Sequence, residues 1–482
     1  MIDLTPVANI LGRLLVVLGL LMLLPAMLDW ALATGNAGAF VQSSLITAGL
    51  GVLVALSTGA RGTRGLDART AFLLTLAIWI VLPGFGALPF MLGAPGLSVT
   101  DAYFEAVSGL TTTGATVVTE LVERPAGMHL WRGMLNWLGG LGIAFVAMIF
   151  LPVMRVGGMQ FFRTEGFDTL GKVLPRAQDI ALSLLGVYAG LTVACLTTYL
   201  LIGMQPLDAV VHALASIATG GFSPQDASFG AYRGAGEYAG ALFMLLAATP
   251  YILYVQMVNG QRRALWGDPQ VRSFVIWVMG AVLVVTLWRL QTAGDPLEAS
   301  FRETLFNMVS VMTGTGFGSG SFSGWGGFAL LVTFVMGVIG GCSGSSSAGL
   351  SVFRVQVSLA ALRSQIGKIA SPSRVAPVRY AGRAVDSETL NSVAMFVTFY
   401  VLLLGIFSVA LTLTGVDQTS ALFGAWATLG NIGYSIGPMV ARTGTFVDFP
   451  DTAKWLMTLA MLMGRLSLLA FFVIFLPRFW RN

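Results

Sequence analysis

The chain reads as an all-α membrane protein: four helix–half-helix–helix (M1-P-M2) repeats around one pore, preceded by two extra transmembrane helices. Composition is the first ground for this. Of 482 residues, 56% are hydrophobic and only 10% charged, against roughly 25% charged in soluble domains. The second is a stretch that occurs four times between long apolar segments. It reads Ser108-Gly-Leu-Thr-Thr-Thr-Gly-Ala-Thr116, Ala218-Thr-Gly-Gly-Phe-Ser223, Thr313-Gly-Thr-Gly-Phe-Gly318 and Gly430-Asn-Ile-Gly-Tyr-Ser435. The third is that the copies align on one shared glycine, Gly114, Gly221, Gly316 and Gly433, and stay alike upstream of it.

The extension occupies 1–58, with apolar runs at 7–30 and 41–58. Ala31-Leu-Ala33 resembles a signal cleavage site, but the run before it is long for a signal and only Arg13 marks a basic start. A retained membrane helix is therefore expected. Repeat one spans 59–152, with apolar helices 71–92 and 131–152 flanking 101–116. Repeat two spans 153–258, with helices 180–203 and 238–258 around 208–223. Repeat three, 259–363, has a helix over 271–292, the stretch 303–318 and an interrupted second helix over 327–363. Repeat four, 364–482, has helices 391–414 and 454–476 around 420–435. A period of about 100 residues is the main organising feature of the sequence.

Within each copy, Asp101, Asp208, Glu303 and Ser420 lie thirteen residues before the glycine and suit a helix start. Apolar Phe104, Val211, Phe306 and Phe423 follow, then small Ser108, Ala215, Ser310 and Ala427. The pattern predicts helices of about 10 residues, roughly 15 Å or half a bilayer, running into an extended turn.

Loop charge sets the orientation. With the N-terminus inside, the inner loops 59–70, 153–179, 259–272 and 354–390 and the tail 477–482 hold 18 Lys/Arg and 7 Asp/Glu. The outer segments hold 7 and 14. That is the positive-inside bias, and it puts the four turns outside, where the acidic surplus would concentrate cations. Cys195 and Cys342 lie in apolar segments and form no disulfide framework. Two histidines, His129 and His212, supply no metal cluster. The net charge of +5 follows from the inner loops rather than from nucleic-acid binding.

A ring of backbone carbonyls from four segments can replace an ion's water shell without any titratable group. Glycine permits the conformations that turn successive carbonyls inward, and each half-helix points its carbonyl end at the ion. Irregular backbone at this depth requires a watery path buried in protein.

On these four turns the chain resembles the Trk/Ktr/HKT superfamily of potassium transporters, and the bacterial TrkH type most closely. The likeness extends to Trp131-Arg132, Trp137-Leu-Gly-Gly140, Gly340-Gly-Cys-Ser-Gly-Ser-Ser-Ser-Ala-Gly349, Gly464-Arg465-Leu466 and the two extra N-terminal helices. It implies K⁺ coordination by carbonyls near Thr112-Thr113-Gly114, Thr219-Gly220-Gly221, Gly314-Thr315-Gly316 and Asn431-Ile432-Gly433. Filter four, with Tyr434 and then Ser-Ile-Gly-Pro438, and Ser467 after Gly-Arg-Leu depart from the family pattern. The resemblance also implies a homodimer in the bacterial inner membrane, with both termini cytoplasmic. Cytosolic RCK-type, TrkA-like subunits would carry the nucleotide, so no cofactor is expected in this chain.

Residues 340–349 are too poor in helix formers to be regular helix in mid-membrane. They read either as close small-residue packing or as a loop that blocks the path under the filter. Its gate residues would be Gly340, Gly341, Ser343, Gly344, Ser345, Ser346, Ser347 and Gly349. Arg465, with no acid within four residues, is functional by default. It is expected to point into the inner vestibule and bond groups around Ser343–Ser347. The inner segment 363–390, with Arg363, Lys368, Arg374, Arg379 and Arg383, suits anionic lipid or a cytosolic regulator.

Two other readings stay open. A proton- or sodium-coupled symporter would use filter-adjacent groups such as Glu105 or His212. An intramembrane serine protease would use Gly341-Cys-Ser343-Gly344, although both histidines precede Ser343.

Overall fold

The computed structural model describes residues 3–59, 68–145, 177–292, 294–320, 322–371, 377–465, 473 and 476–480. Residues 146–176, which include most of the expected inner loop 153–179, lie outside them, as do Arg374, Leu466 and Ser467. The described part is helical apart from one short hairpin pairing β1 (Arg379–Tyr380) with β2 (Arg383–Ala384). Six described helices are long and apolar enough to cross a membrane, and a bent pair raises the number to seven. Their outward faces carry Leu, Ile, Val and Met, as Leu45, Leu283 and Val409 illustrate, which suits lipid as the surrounding solvent.

The N-terminal extension consists of α1 (Thr5–Leu21), α2 (Leu23–Ala31) and α3 (Ala37–Thr58). A glycine seam joins α1 to α3: a Cβ on Gly12 would meet Ala55 N, and one on Gly51 would meet Gly12 O, each closer than 3.0 Å. Without a hydrophobic force between helices in lipid, such close backbone contact is what holds them. Buried Asp29 accepts from Gly127 N at 2.7 Å and from Asn36 Nδ2 at 3.2 Å, which ties the extension to the helix that follows the first glycine turn.

The four half-helices are α4 (Val99–Leu110), α5 (Pro206–Ala218), α6 (Leu297–Met312) and α7 (Gln418–Leu429). They have 12, 13, 16 and 12 residues, longer than the expected ten. Asp101, Asp208 and Ser420 are therefore not the starts: each is the third helical residue, and Glu303 lies deeper still. The caps are the preceding residues. Ser98 Oγ accepts from Asp101 N at 3.1 Å, and Asp417 Oδ1 accepts from Ser420 N at 3.0 Å. An acid in the first turn is favoured by the same free amides that favour a cap, so sequence alone misplaced the boundary.

The expected single helix over 238–258 is broken. Ala235–Ala247 and Tyr251–Val258 meet at 87°, because Pro250 has no amide to donate and disfavours helix in the residue before it. The interruption in unit three does occur: Gly327–Ile339 ends at Gly340, and the chain is helical again over Val352–Ala370. That second helix continues past residue 363 to Ala370. The two breaks satisfy each other, with Cys342 N donating to Ala248 O and Tyr251 N to Gly344 O, both at 3.1 Å.

Candidate functional site

The turns after the four half-helices share one backbone geometry. The residue two before the common glycine has positive φ in every copy: Thr112 51°, Thr219 50°, Gly314 72° and Asn431 47°. So does the glycine itself, at 79° for Gly114, 71° for Gly221, 80° for Gly316 and 76° for Gly433. A β-branched threonine with positive φ costs about 1–3 kcal/mol and persists only where the surroundings impose it. The imposed contact is the same throughout. The amides of Thr113, Gly220, Thr315 and Ile432 turn back onto the half-helix carbonyls of Ser108, Ala215, Ser310 and Ala427, at 2.8, 2.8, 2.9 and 2.8 Å. These acceptors are the small residues that recur in the sequence.

With their amides turned back, the carbonyls of Thr113, Gly220, Thr315 and Ile432 are left over. None of the four accepts a hydrogen bond among the described residues. Each faces the glycine of a neighbouring turn. A Cβ on Gly114 would strike Gly220 O, on Gly221 Thr315 O, on Gly316 Ile432 O and on Gly433 Thr113 O, all closer than 3.0 Å. The order one-two-three-four-one closes a ring. No side chain fits between its members, so these glycines are required by space as well as by φ. A cavity of about 620 Å³ opens over the ring and touches all four glycines. Neutral carbonyls suit a hard monovalent cation, and the described residues hold no group of three or more His, Cys, Asp or Glu fit for a transition metal.

Beneath the ring, the Gly/Ser segment is tied down at many points. Gly341 N donates to Ser347 Oγ at 3.0 Å, and Ser347 Oγ donates to Thr313 O at 2.6 Å. Ser345 Oγ donates to Cys342 O at 2.7 Å. The return arm closes on the helix before it through Leu350 N to Val338 O and Ser351 N to Ile339 O. Gly340, Gly344 and Gly349 take positive φ, and a Cβ on Gly340 would strike Ala348 O. Ser346 is the hub: Thr219 Oγ1 and Tyr251 OH each reach its Oγ at 3.2 Å, and that Oγ bonds Ile217 O and Ala247 O. Arg465 corrects the expectation in part. Of the segment it holds only Ser346 O, at 3.0 Å; its other bonds go to Thr111 O and to Thr112, where the first turn begins.

Ser343 is engaged elsewhere. Its Oγ donates to Ser351 Oγ at 2.8 Å and its amide to Gln270 Oε1. His129 Nε2 bonds Leu121 O, while His212 sits between Asp208 O and Ser223 Oγ. Neither histidine is arranged to activate Ser343, as the protease reading needs.

On the cavity side, the acids counted as a cation attractor serve largely as ties. Asp101 pairs with Lys454, Glu105 with Arg132, Glu237 with Arg302 and Glu303 with Arg289. Arg132 spans two turns, from Glu105 Oε1 at 2.8 Å to Ser223 O at 2.9 Å, with its guanidinium 4.1 Å from the Phe222 ring centroid. At the rim, the bond from Arg442 holds the Asp448 carboxyl below its usual range. Burial, then the bond to Asp208, pushes the Tyr232 phenol well above its own. Tyr251 and Pro250 were missed by sequence reasoning; a proline inside an apolar run was the available signal.

Fold and ring define a polytopic helical membrane protein whose centre is a closed ring of unbonded carbonyls. Comparison with known proteins agrees. The chain belongs to the TrkH family of cation transport proteins, whose family model matches residues 38–481. It is 39% identical to the Trk system potassium uptake protein TrkI of Halomonas elongata, over 99% of this chain and 97% of that protein. It is 38% identical to TrkH of the same organism, over 99% of each. The crystal structure of the potassium transporter TrkH from Vibrio parahaemolyticus superposes with a TM-score of 0.91 at 32% identity, covering 100% of both chains.

Proposed function

We propose that this chain is the potassium-conducting membrane subunit of a Trk-type uptake system. Four helix–half-helix–helix units, over 59–152, 153–258, 259–363 and 364–482, surround one pore, with 1–58 as an added helical pair. K⁺ sheds its water onto carbonyls of Thr112, Thr113 and Gly114, of Thr219, Gly220 and Gly221, of Gly314, Thr315 and Gly316, and of Asn431, Ile432 and Gly433. The observation that carries this is the closed order of glycine against carbonyl around all four turns. A path so narrow and so poor in free charge favours flow down the electrochemical gradient.

The Gly/Ser segment is the gate, and Arg465 is its latch. One guanidinium bonds both the segment and the foot of filter one, so the segment cannot move without breaking that link. The bond pattern closes the segment; opening requires work from outside it. Cytosolic RCK-type, nucleotide-binding subunits acting on the inner face of a homodimer would supply that work. The protein would lie in the bacterial inner membrane with both termini cytoplasmic, following the Lys/Arg excess of its inner loops.

The test is flux from liposomes holding the purified chain, measured for K⁺, Rb⁺ and Na⁺ with and without a pH gradient. Conduction predicts K⁺ and Rb⁺ flux indifferent to the pH gradient. Flux that requires the gradient would instead favour a symporter using Glu105 or His212, which are titratable, buried and directly behind the turns.

A further inference from the structure

The four turns are not braced alike, and the difference centres on one position. Nine residues before the common glycine stand Glu105, His212, Asn307 and Gly424. In the first three units this side chain is buried and bonds the strand leaving the turn. Glu105 accepts from Val117 N at 3.0 Å and from Thr116 Oγ1 at 2.9 Å. His212 Nε2 meets Ser223 Oγ at 3.1 Å. Asn307 donates to Ser319 O at 2.9 Å and accepts from Ser319 N at 3.1 Å.

Unit four keeps the hydroxyl on the strand and lacks the side chain that would bond it. Ser435 occupies the position of Thr116 and Ser223, and its hydroxyl is buried without a hydrogen-bond partner. A buried unpaired hydroxyl is uncommon and calls for a reason. Crowding does not require glycine at 424. A Cβ there would meet Met457, Leu411 and Phe449 at 3.6–3.7 Å, ordinary contact, and the residue lies in regular helix. Further along the chain, Met439 N donates to Ser420 Oγ at 3.2 Å.

We propose that Gly424 makes filter four the compliant side of the ring, and that this position sets how strongly the protein prefers K⁺ over Na⁺. The inference rests on the reading of the ring as a K⁺ filter. A larger ion is favoured only while the carbonyls resist closing on a smaller one. Turn four is held at its base, where Asn431 Nδ2 donates to Thr113 Oγ1 at 2.9 Å and to Met461 O at 3.0 Å; without a tie from position 424 to the strand beyond Gly433, that quarter of the ring can move inward and accept Na⁺. A side chain at 424 that reaches the Ser435 hydroxyl would hold that quarter in place, as Asn307 does for unit three. Gly424 is thus a positioning residue that acts through Ser435 and the strand behind it.

The experiment compares K⁺ and Na⁺ flux from liposomes for the full chain and four variants, with thermal unfolding of each in detergent as a check on folding. Gly424→Asn should raise the K⁺-to-Na⁺ flux ratio roughly three- to tenfold, the factor that one buried hydrogen bond commands. Gly424→Ala, which fills space without bonding, should leave it unchanged. Asn307→Ala should lower the ratio by a similar factor, and it provides the test should Gly424→Asn fail to fold. Gly114→Ser tests the filter itself. If it shifts the ratio while folded Gly424→Asn or Asn307→Ala does not, the compliance proposal is overturned and the filter reading stands. If none of the variants shifts it, both fall. An equal rise in Gly424→Ala would also overturn the proposal, since packing rather than bonding would then be the cause.

Discussion

Replacing Arg465 with alanine tests the latch most directly. The guanidinium donates to Ser346 O at 3.0 Å and also bonds Thr111 O and Thr112, so it joins the Gly/Ser segment to filter one. Of the bonds that Arg465 makes, only the one to Ser346 must break for the segment to leave. A hydrogen bond from a charged donor contributes about 1.5–3 kcal/mol. At about 1.4 kcal/mol per factor of ten, its loss shifts the closed-to-open equilibrium roughly ten- to 150-fold. The assay is K⁺ efflux from liposomes containing the chain without any cytosolic partner, where wild type should leak slowly and Arg465→Ala faster by about that factor. Arg465→Lys separates two contributions. It keeps a positive charge beneath the filter but cannot fork between Ser346 and Thr112. A lysine variant as tight as wild type would assign closure to charge repulsion, and one as leaky as alanine to the tether. Unchanged leakage in a folded alanine variant would refute the latch altogether.

Other perturbations follow from the same contacts. Arg132→Ala leaves Glu105 buried and unpaired, with side chains 1% and 0% exposed in the native pair; thermal unfolding in detergent should register a loss of about 3–5 kcal/mol. Replacing both partners with leucine should recover much of it, and no recovery would mean that the Ser223 bond matters more than the pair. Gly316→Ala puts a Cβ against Ile432 O at a φ of 80°. It should abolish K⁺ flux in protein that still elutes as wild type on size exclusion, and normal flux would contradict the closed ring. Tyr251→Phe removes bonds to Ile217 O at 3.0 Å and Ser346 Oγ at 3.2 Å. Each contributes about 0.5–1.5 kcal/mol, so leakage should rise by less than in Arg465→Ala; no rise would place Tyr251 outside the gate.

The parts legible in the sequence are those whose cause is local. A turn with positive φ needs glycine at the same register each time, and the half-helix needs a small residue where its carbonyl receives the returning amide. Both left marks within a dozen residues of Gly114, Gly221, Gly316 and Gly433. The half-helix starts were misread because Asp101 and Asp208 favour the first turn as strongly as a cap would. The break at Pro250 also had a local mark, yet an apolar run on both sides hid it. Glu105, His212 and Asn307 become recognisable as a set only when their partners beyond the turn are seen.

Composition, the fourfold glycine register and the helix-poor run at 340–349 thus belong to the sequence by itself, since short-range backbone sterics write them there. Tertiary structure decided the rest: the cyclic order of the turns, the mutual support of the two broken helices, and the reach of Arg465 to Thr111, 354 positions away in the chain. Such contacts depend on which helices meet and at what depth. That is set by packing many small apolar surfaces at once, and no short stretch of sequence contains it.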